Sequence, residues 1–157
     1  MKTNATRILD RLGIAYETRS YRIDPDDLGA EKVALGIAMP IERVFKTLVA
    51  RGDRNGILLA VVPGDVEVDL KSLARLSENK RVDMVHLSEV QPLTGYVRGG
   101  VTALACKKDY PVFVDISMEK FDTIAVSAGM RGLQILLAPK DYIQAVKATV
   151  GQIARSK

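Results

Sequence analysis

Residues 44–64 read VFKTLVARGDRNGILLAVVPG, which is two apolar runs on either side of a turn. Asn55 and Gly56 form a dipeptide that is typical of a tight hairpin. The second run is apolar without interruption and ends at a proline and a glycine, as a strand in the middle of a sheet does. The stretch therefore predicts two consecutive strands, at residues 44–50 and 57–62.

Lys46 is the only charged residue in the first of these strands. Strand alternation places it on the same face as Val44 and Leu48, so a lysine is flanked by apolar residues on a surface that should be partly covered. An ammonium in such a place needs an anionic partner or a cavity. The structural alternative is a lysine at a sheet edge that reaches solvent or forms an ion pair.

The rest of the chain alternates short apolar segments with turn residues. Helical spacing and capping residues predict five short helices, at residues 3–12, 25–36, 70–76, 88–93 and 139–153. Apolar and β-branched runs predict further strands at residues 15–21, 82–85, 101–105, 112–116, 123–126 and 133–137. Because many strands adjoin hairpin-like turns, we expect an α+β fold with about seven strands in a mixed, mostly antiparallel sheet and the short helices flanking it.

The composition is that of one globular domain, which we expect to span residues 1–157. Hydrophobic residues make up 47% and charged residues 27%, and the net charge of +4 favours a polyanionic partner only slightly. The longest apolar run, residues 57–62, is too short to cross a bilayer, and the first residues contain no apolar signal segment. We therefore expect a cytoplasmic protein that makes no membrane contact.

Cys106 and His86 are the single cysteine and the single histidine of the chain. One cysteine excludes an intrachain disulfide, a zinc site would need mostly carboxylates, and a Ser-His-Asp triad could use only His86. Lys107 and Lys108 follow Cys106 and would favour its thiolate, which makes it a candidate nucleophile. Since Cys106 ends an apolar run, we interpret it as a small buried residue and His86 as structural. No metal or cofactor is expected.

Two glycine-containing turns are the other notable segments. Residues 94–108 read TGYVRGGVTALACKK, and residues 127–134 read SAGMRGLQ. Glycines leave main-chain N–H groups uncovered, and such groups attract anions. Neither turn has the spacing of a dinucleotide-binding motif or a P-loop, and paired glycines alone commonly mark a plain hairpin. Together with Lys46, however, the turns could surround a small group with N–H donors and one cation, an arrangement that stabilises the oxyanion of acyl transfer.

Six short motifs follow one another along the chain: FKTL (45–48), TGY (94–96), GGVT (99–102), KK (107–108), SAGMRGL (127–133) and APKD (138–141). In this order they resemble the YbaK/EbsC family, relatives of the editing insertion domain of bacterial prolyl-tRNA synthetase. The resemblance covers almost the entire chain and implies the mixed-sheet fold of that editing domain. It also implies a free-standing enzyme that removes misattached cysteine from tRNA(Pro), and cysteine from Cys-tRNA(Cys).

The same resemblance implies the site residues by position. The catalytic group consists of the motif lysine and the loop that faces the scissile carbonyl: Lys46, Gly99, Gly100, Val101 and Thr102. The substrate-binding group lies at the entrance, beside the lysine and in the second turn: Tyr21, Phe45, Thr47, Ser127, Gly129 and Arg131. The chain has Ala103 where the family usually has proline and Ala128 where glycine is common, so the amino-acid specificity stays open.

The reaction that the resemblance implies uses a nucleophile from the substrate. The thiol of the misattached cysteine attacks its own ester carbonyl and leaves as a thiolactone, so the protein has only to orient the thiol and stabilise the oxyanion. Lys46 would hold the terminal phosphate or ribose, or polarise the ester. The binding role is favoured, because an ammonium is a poor base unless burial lowers its pKa.

The expected partner is mischarged tRNA, with prolyl-tRNA synthetase in a ternary complex, and no DNA is expected. One alternative is a water-mediated deacylase for another small amino acid such as alanine. Another is a non-catalytic module that docks on tRNA or on a synthetase with strong salt dependence. Its phosphate-facing residues would be Arg43, Arg98, Lys107, Lys108 and Arg131.

Overall fold

The computed structural model describes residues 2–157, and within them the chain forms five α-helices and ten β-strands. The helices are α1 (Asn4–Arg11), α2 (Ala30–Ile37), α3 (Leu70–Leu76), α4 (Leu87–Thr94) and α5 (Pro139–Val146). The strands are β1 (Glu17–Ser20), β2 (Phe45–Gly52), β3 (Gly56–Pro63), β4 (Val66–Val68), β5 (Val82–Met84), β6 (Val112–Asp115), β7 (Ile124–Ser127), β8 (Leu133–Leu137), β9 (Thr149–Gly151) and β10 (Ala154–Ser156). This is the mixed α+β class that the sequence predicts. In the described range no helix combines the length and the apolar character that crossing a bilayer requires.

The β2–β3 hairpin forms the middle of a five-stranded sheet with the order β5-β2-β3-β6-β9. Thr47 lies opposite Val61 in the antiparallel register, and the turn before Gly56 closes the hairpin as predicted. β5 continues the sheet antiparallel to β2, whereas β6 and β9 extend it in parallel on the other side. β3 is therefore central, which explains its uninterrupted apolar sequence.

A second sheet has the order β1-β8-β7 and is antiparallel throughout. In its central strand, Gln134 lies opposite Ser127 of β7 and Arg19 of β1. A parallel bridge between Val44 and Ala125 joins this sheet to the five-stranded one. The bridge brings the start of β2 next to β7. The short strands β4 and β10 pair with each other.

Three apolar clusters hold these layers together. The largest takes residues from both sheets, from α1 and from α5, including Leu9, Phe45, Val61, Ile135 and Tyr142. The second covers the other face of the five-stranded sheet with α3 and the C-terminal segment, including Leu58, Val62, Leu73 and Ile153. The third lies between α2 and the three-stranded sheet, including Val33, Ile37, Ala125 and Leu136. Strand alternation divides the side chains of β2 and β3 between the first two clusters.

Residues 101–105 do not form the strand that the sequence predicts. The backbone turns instead, and Ala105 has a φ of 56°. The buried Thr102 accepts a hydrogen bond at Oγ1 from the N–H of Leu104 (3.3 Å), and the Tyr96 hydroxyl lies 2.7 Å from the Leu104 carbonyl oxygen. These local hydrogen bonds satisfy backbone groups that a strand would pair with a neighbour.

The last helix ends at Val146 and does not continue to residue 153 as predicted. Lys147 ends it with a φ of 54°, and the chain then adds β9 to the edge of β6. Two β-branched residues in β9 favour this extended backbone. The strands β4, β9 and β10, of three residues each, were not predicted. With them the strand count rises from about seven to ten.

α2 begins at Ala30 rather than at residue 25, and Gly36 lies inside it rather than at its end. A Cβ atom on Gly36 would lie 2.7 Å from the Cβ of Tyr21. The glycine therefore allows α2 to pack closely against the chain that follows β1.

Candidate active site

A cavity of about 450 Å³ lies where the N-terminus of α2, the start of β2, the loop at residues 98–101, the end of β7 and the start of β8 meet. Its volume is within the range of ligand sites in proteins. Six of the predicted site residues line it: Phe45, Lys46, Thr47, Gly99, Val101 and Ser127. Much of the remaining wall is apolar and includes Val33, Val44, Leu48, Val85 and Val90.

The first part of β2 is a free strand edge on this cavity. β5 pairs only with Ala50, Arg51 and Gly52, and Val44 bridges to Ala125 of β7, so between these points residues 46–48 have no strand partner on that side within residues 2–157. A free edge presents unpaired N–H and C=O groups. The cavity therefore offers main-chain hydrogen bonds from β2 as well as side chains.

Lys46 lines the cavity and is half-buried. Its Nζ lies 3.4 Å from the carbonyl oxygen of Gly64, and within residues 2–157 it forms no salt bridge with a carboxylate. Burial lowers the pKa of the ammonium and Lys157 lowers it further, whereas Asp65 and Glu31 raise it. An ammonium without a carboxylate partner is available to an anionic group of a ligand.

The loop around Gly99 has a tightly constrained shape. Gly99 has a φ of 88°, which L side chains rarely adopt. The N–H of Gly100 donates to the carbonyl oxygen of Val97 at 2.9 Å, and a Cβ on Gly100 would lie 3.1 Å from the backbone of Met130. The N–H groups of Gly99 and Val101, by contrast, make no hydrogen bond in the described part of the chain. These two groups are the donors that the loop leaves for a ligand.

Arg131 and Tyr21 lie in a small cleft beside the cavity, together with Gly99. Neither side chain lines the cavity itself. The Nε of Arg131 donates to the carbonyl oxygen of Arg98 at 2.8 Å. Arg131 therefore supports the glycine loop from outside the cavity.

Gly100, Thr102 and Gly129 do not line the cavity either. Thr102 is fully buried. The N–H of Gly129 donates to Oγ of Ser127 at 3.1 Å, and a Cβ on Gly129 would lie 2.9 Å from the ring of Tyr96. These residues shape the two turns without reaching the cavity.

Gln134 lines the cavity but was not among the residues that the sequence pattern selected. Its side chain is buried near the start of β8, opposite Ser127, and its Oε1 has no hydrogen-bond partner within residues 2–157. A sequence signal was present, because Gln134 is the one polar residue in the run LQILL. A polar residue in a fully buried strand needs a partner, and a strand pattern alone does not show which partner it has.

Neither Cys106 nor His86 lines the cavity. The Sγ of Cys106 donates to the carbonyl oxygen of Thr102 at 3.2 Å, and burial raises the pKa of the thiol to about 11. His86 is exposed, and its backbone N–H donates to the carboxylate of Glu89 at the start of α4. The cavity therefore contains neither a thiolate nor an imidazole. In the part of the chain that the structure describes, no group of three His, Cys, Asp or Glu residues could hold a metal ion.

Several cations of the alternative docking patch already make intramolecular hydrogen bonds. Arg43 donates from Nε and Nη2 to the carbonyl oxygen of Thr123, at 2.9 and 2.8 Å. Lys107 donates to the carbonyl oxygen of Pro92 at 3.4 Å. Of the patch residues, only Arg98 lines the cavity.

A family model described as the aminoacyl-tRNA editing domain matches residues 25–145. EbsC of Enterococcus faecalis, which is named for Cys-tRNA(Pro)/Cys-tRNA(Cys) deacylation, is 40% identical over 153 residues, covering 98% of this chain and 92% of EbsC. The multifunctional Ser/Thr-tRNA deacylase ProXp-y of Escherichia coli is 31% identical over 103 residues, covering 63% of this chain and 62% of that protein.

Solved structures share the fold. A crystal structure described as a trans-editing enzyme for prolyl-tRNA synthetase superposes with a TM-score of 0.81 and covers 99% of both chains. Another, of a protein described as hypothetical, has a TM-score of 0.88 and covers 98% of this chain and 100% of the other. Both are 20% identical to this chain, so these two likenesses concern the fold.

Proposed function

The chain belongs to the aminoacyl-tRNA editing domain family, and we propose that it is a free-standing deacylase that removes misattached cysteine from tRNA(Pro) and cysteine from Cys-tRNA(Cys). Likeness to EbsC over nearly the whole chain supports this substrate. In this proposal residues 1–157 act as one editing domain.

The observation that carries the proposal is the content of the cavity. Lys46, Gly99 and Val101 line it, whereas Cys106 and His86 do not. An ester bound there meets main-chain N–H donors and an ammonium but no activated protein nucleophile. The nucleophile is therefore expected from the substrate or from water.

In the proposed reaction the thiol of the cysteinyl group attacks its own ester carbonyl. The C–S bond forms, the C–O bond to the terminal ribose breaks, and the thiol proton ends on the released ribose oxygen. The tRNA leaves with a free hydroxyl and the cysteine leaves as a thiolactone, which water hydrolyses. The N–H groups of Gly99 and Val101 donate to the oxyanion, and the enclosed cavity holds the thiol near the carbonyl.

Lys46 serves in this proposal as a binding group for the terminal phosphate or ribose of the tRNA. Its ammonium has no carboxylate partner to displace within residues 2–157, and Arg98 supplies a second cation on the same cavity. Phe45, Thr47 and Ser127 form walls of the space for the amino acid.

A second candidate is water-mediated removal of another small amino acid, such as alanine, serine or threonine. The 31% identity to a Ser/Thr-tRNA deacylase favours it. So do Ala103 and Ala128, which stand where the family that the sequence resembles usually has proline and commonly has glycine. The same cavity would then place a water molecule where the thiol acts.

We also propose that prolyl-tRNA synthetase holds the tRNA in a ternary complex in the cytoplasm. The cavity of about 450 Å³ has room for the aminoacylated end of a tRNA but not for the rest of the molecule, so the features that identify a tRNA would be read elsewhere. The trans-editing description of a structural neighbour supports this partner.

The decisive experiment measures release of amino acid from tRNA(Pro) charged with cysteine, S-methylcysteine, serine, threonine or alanine. Substrate-thiol chemistry predicts that cysteine is released and S-methylcysteine is not. Release of S-methylcysteine, serine or alanine at a comparable rate would favour the water-mediated reaction. Salt-dependent binding of tRNA with no release at all would indicate a non-catalytic module.

A further inference from the structure

Gln134 is a buried polar residue on the cavity wall for which the proposed reaction has no role so far. It is 4% exposed, and its Oε1 has no hydrogen-bond partner within residues 2–157. The buried hydroxyl of Tyr142 lies beside the side chain of Thr47, and Tyr142 belongs to the largest apolar cluster and does not line the cavity. Buried amides are normally hydrogen-bonded. An unpaired amide at a cavity wall points to a group on the ligand.

The neighbours of Gln134 across the sheet do not use its amide. On β1, Arg19 donates from Nη1 to the carbonyl oxygen of Ile37 at 2.9 Å. On β7, Ser127 accepts the N–H of Gly129 at 3.1 Å. Neither neighbour hydrogen-bonds to the carboxamide of Gln134 within residues 2–157, so it remains free.

The charges on the cavity wall indicate which ligand group needs this amide. Three of the lining side chains are cationic, namely Lys46, Arg98 and Lys157. Glu31 has the one acidic side chain among the lining residues, and it is exposed. An aminoacyl ester carries an α-ammonium, which must find hydrogen-bond acceptors when it enters a cavity of this kind. A carboxamide oxygen is such an acceptor, and its hydrogen bond to an ammonium is charge-assisted.

We infer that the carboxamide of Gln134 accepts a hydrogen bond from the α-ammonium of the aminoacyl ester. This inference rests on the proposed deacylase function. In the structure Oε1 is shielded, and rotation about the last bond of the side chain exchanges it with the nitrogen, so that the oxygen faces the cavity while the side chain stays in place. With the amine held at Gln134, the ester carbonyl is turned towards the N–H groups of Gly99 and Val101. The site then recognises a feature that all aminoacyl esters share, while the cavity walls select the side chain.

The test compares two acyl groups on the same tRNA(Pro). Cysteinyl carries the amine, and 3-mercaptopropionyl keeps the thiol but has no amine. Gln134→Met preserves the length of the side chain and removes the carbonyl acceptor. We expect this variant to lower kcat/KM for the cysteinyl ester by about 10- to 100-fold, as loss of a hydrogen bond to a charged group does, and to leave the 3-mercaptopropionyl ester nearly unaffected.

Two further variants complete the design. Gln134→Glu keeps an acceptor oxygen and should restore most of the activity on the cysteinyl ester. Gln144→Met replaces an exposed glutamine on α5 and should behave as the wild type on both esters. The ratio of the two kcat/KM values is unaffected by the fraction of enzyme that is folded, so partial unfolding of a variant does not obscure the result.

An equal loss on both esters would mean that Gln134 only maintains the cavity, and it would overturn the inference. Unchanged activity of Gln134→Met on the cysteinyl ester would overturn it as well. If the wild type released neither acyl group, the proposed function would fail first and the inference with it. The wild-type measurement therefore separates the two failures.

Discussion

The Nε of Arg131 donates a hydrogen bond to the carbonyl oxygen of Arg98, 2.8 Å away, and so joins two turns that lie 33 residues apart in the sequence. That carbonyl belongs to the same peptide unit as the N–H of Gly99. In a trans peptide the C=O and the N–H point in opposite directions, and the described chain contains no cis peptide bond. A guanidinium that fixes the carbonyl on one side therefore fixes the direction of the Gly99 N–H on the other.

Arg131→Ala should lower kcat by about 10- to 100-fold with little change in KM, because the donor to the oxyanion is no longer held in place. Single-turnover deacylation measures the effect. Arg54→Ala, which removes an exposed arginine from the β2–β3 turn, is the matched control and should have no effect. An Arg131→Ala enzyme with normal kcat would show that the loop keeps its shape unaided.

Lys46→Ala should reduce kcat/KM by about 30- to 1000-fold, because the truncated side chain no longer binds the terminal phosphate or ribose of the tRNA. The fold should persist, since no carboxylate in residues 2–157 depends on Lys46. Lys71→Ala on α3 removes an exposed lysine and serves as control. Full activity of Lys46→Ala in a folded protein would exclude Lys46 from the site.

Stability should also depend on Lys46 in a pH-dependent manner. Burial lowers its pKa from the ordinary value of 10.5, so the unfolded chain binds the proton more tightly than the folded chain does. The charged form therefore destabilises the fold near neutral pH, and this penalty disappears as the pH rises through the lowered pKa towards 10.5. Lys46→Met should be more stable than the wild type near neutral pH, and the difference should narrow at alkaline pH. Urea unfolding across this range tests the sign, and a difference that widens with pH would contradict it.

Cys106→Ala and His86→Ala should both retain deacylation of cysteinyl-tRNA. Neither side chain lines the cavity, and the pKa of Cys106, raised to about 11 by burial, keeps the thiol protonated near neutral pH. Rates are compared at equal concentrations of folded enzyme, determined by circular dichroism. A folded variant without turnover would reject the reaction in which the substrate supplies the nucleophile.

Asp115→Asn should lower the free energy of unfolding by about 1–3 kcal/mol, because one of the two oxygens that accept N–H groups becomes a donor. The buried carboxylate accepts from the N–H groups of Ile153 and Ala154, at 3.0 Å each, and from that of Ser117 at 3.1 Å. Activity per folded molecule should not change, since Asp115 does not line the cavity. Asp26→Asn, at an exposed aspartate, is the control for denaturant melts.

The family, the fold class and the central hairpin were predictable because they depend on patterns of neighbouring residues and on the order of motifs along the chain. The Asn55-Gly56 turn, the uninterrupted apolar run of β3 and strand alternation around Lys46 are all properties of neighbouring residues. The motif order predicted the family, which the matching editing-domain model confirms. Six of the site residues chosen by resemblance line one cavity, and their roles stay predictions.

The differences arise where distant partners decide the structure. Residues 101–105 have a strand-like composition, but contacts of Tyr96 and Thr102 with the backbone turn them into a loop. The segment after Val146 becomes a strand because the edge of β6 is open to it. Gln134 was not selected because a single polar residue in an apolar run does not show that it faces a cavity.

The position of Ile153 in the second apolar cluster bears on how the protein is made. Its side chain is completely buried, and its carbonyl oxygen accepts the N–H of Asp69 at the start of α3, 2.7 Å away. During synthesis, α3 and the face of the sheet beneath it emerge from the ribosome long before this residue does. Until Ile153 has left the exit tunnel, that face stays open to solvent and to chaperones. Completion of the domain is therefore expected to follow translation of its last strands rather than to accompany it.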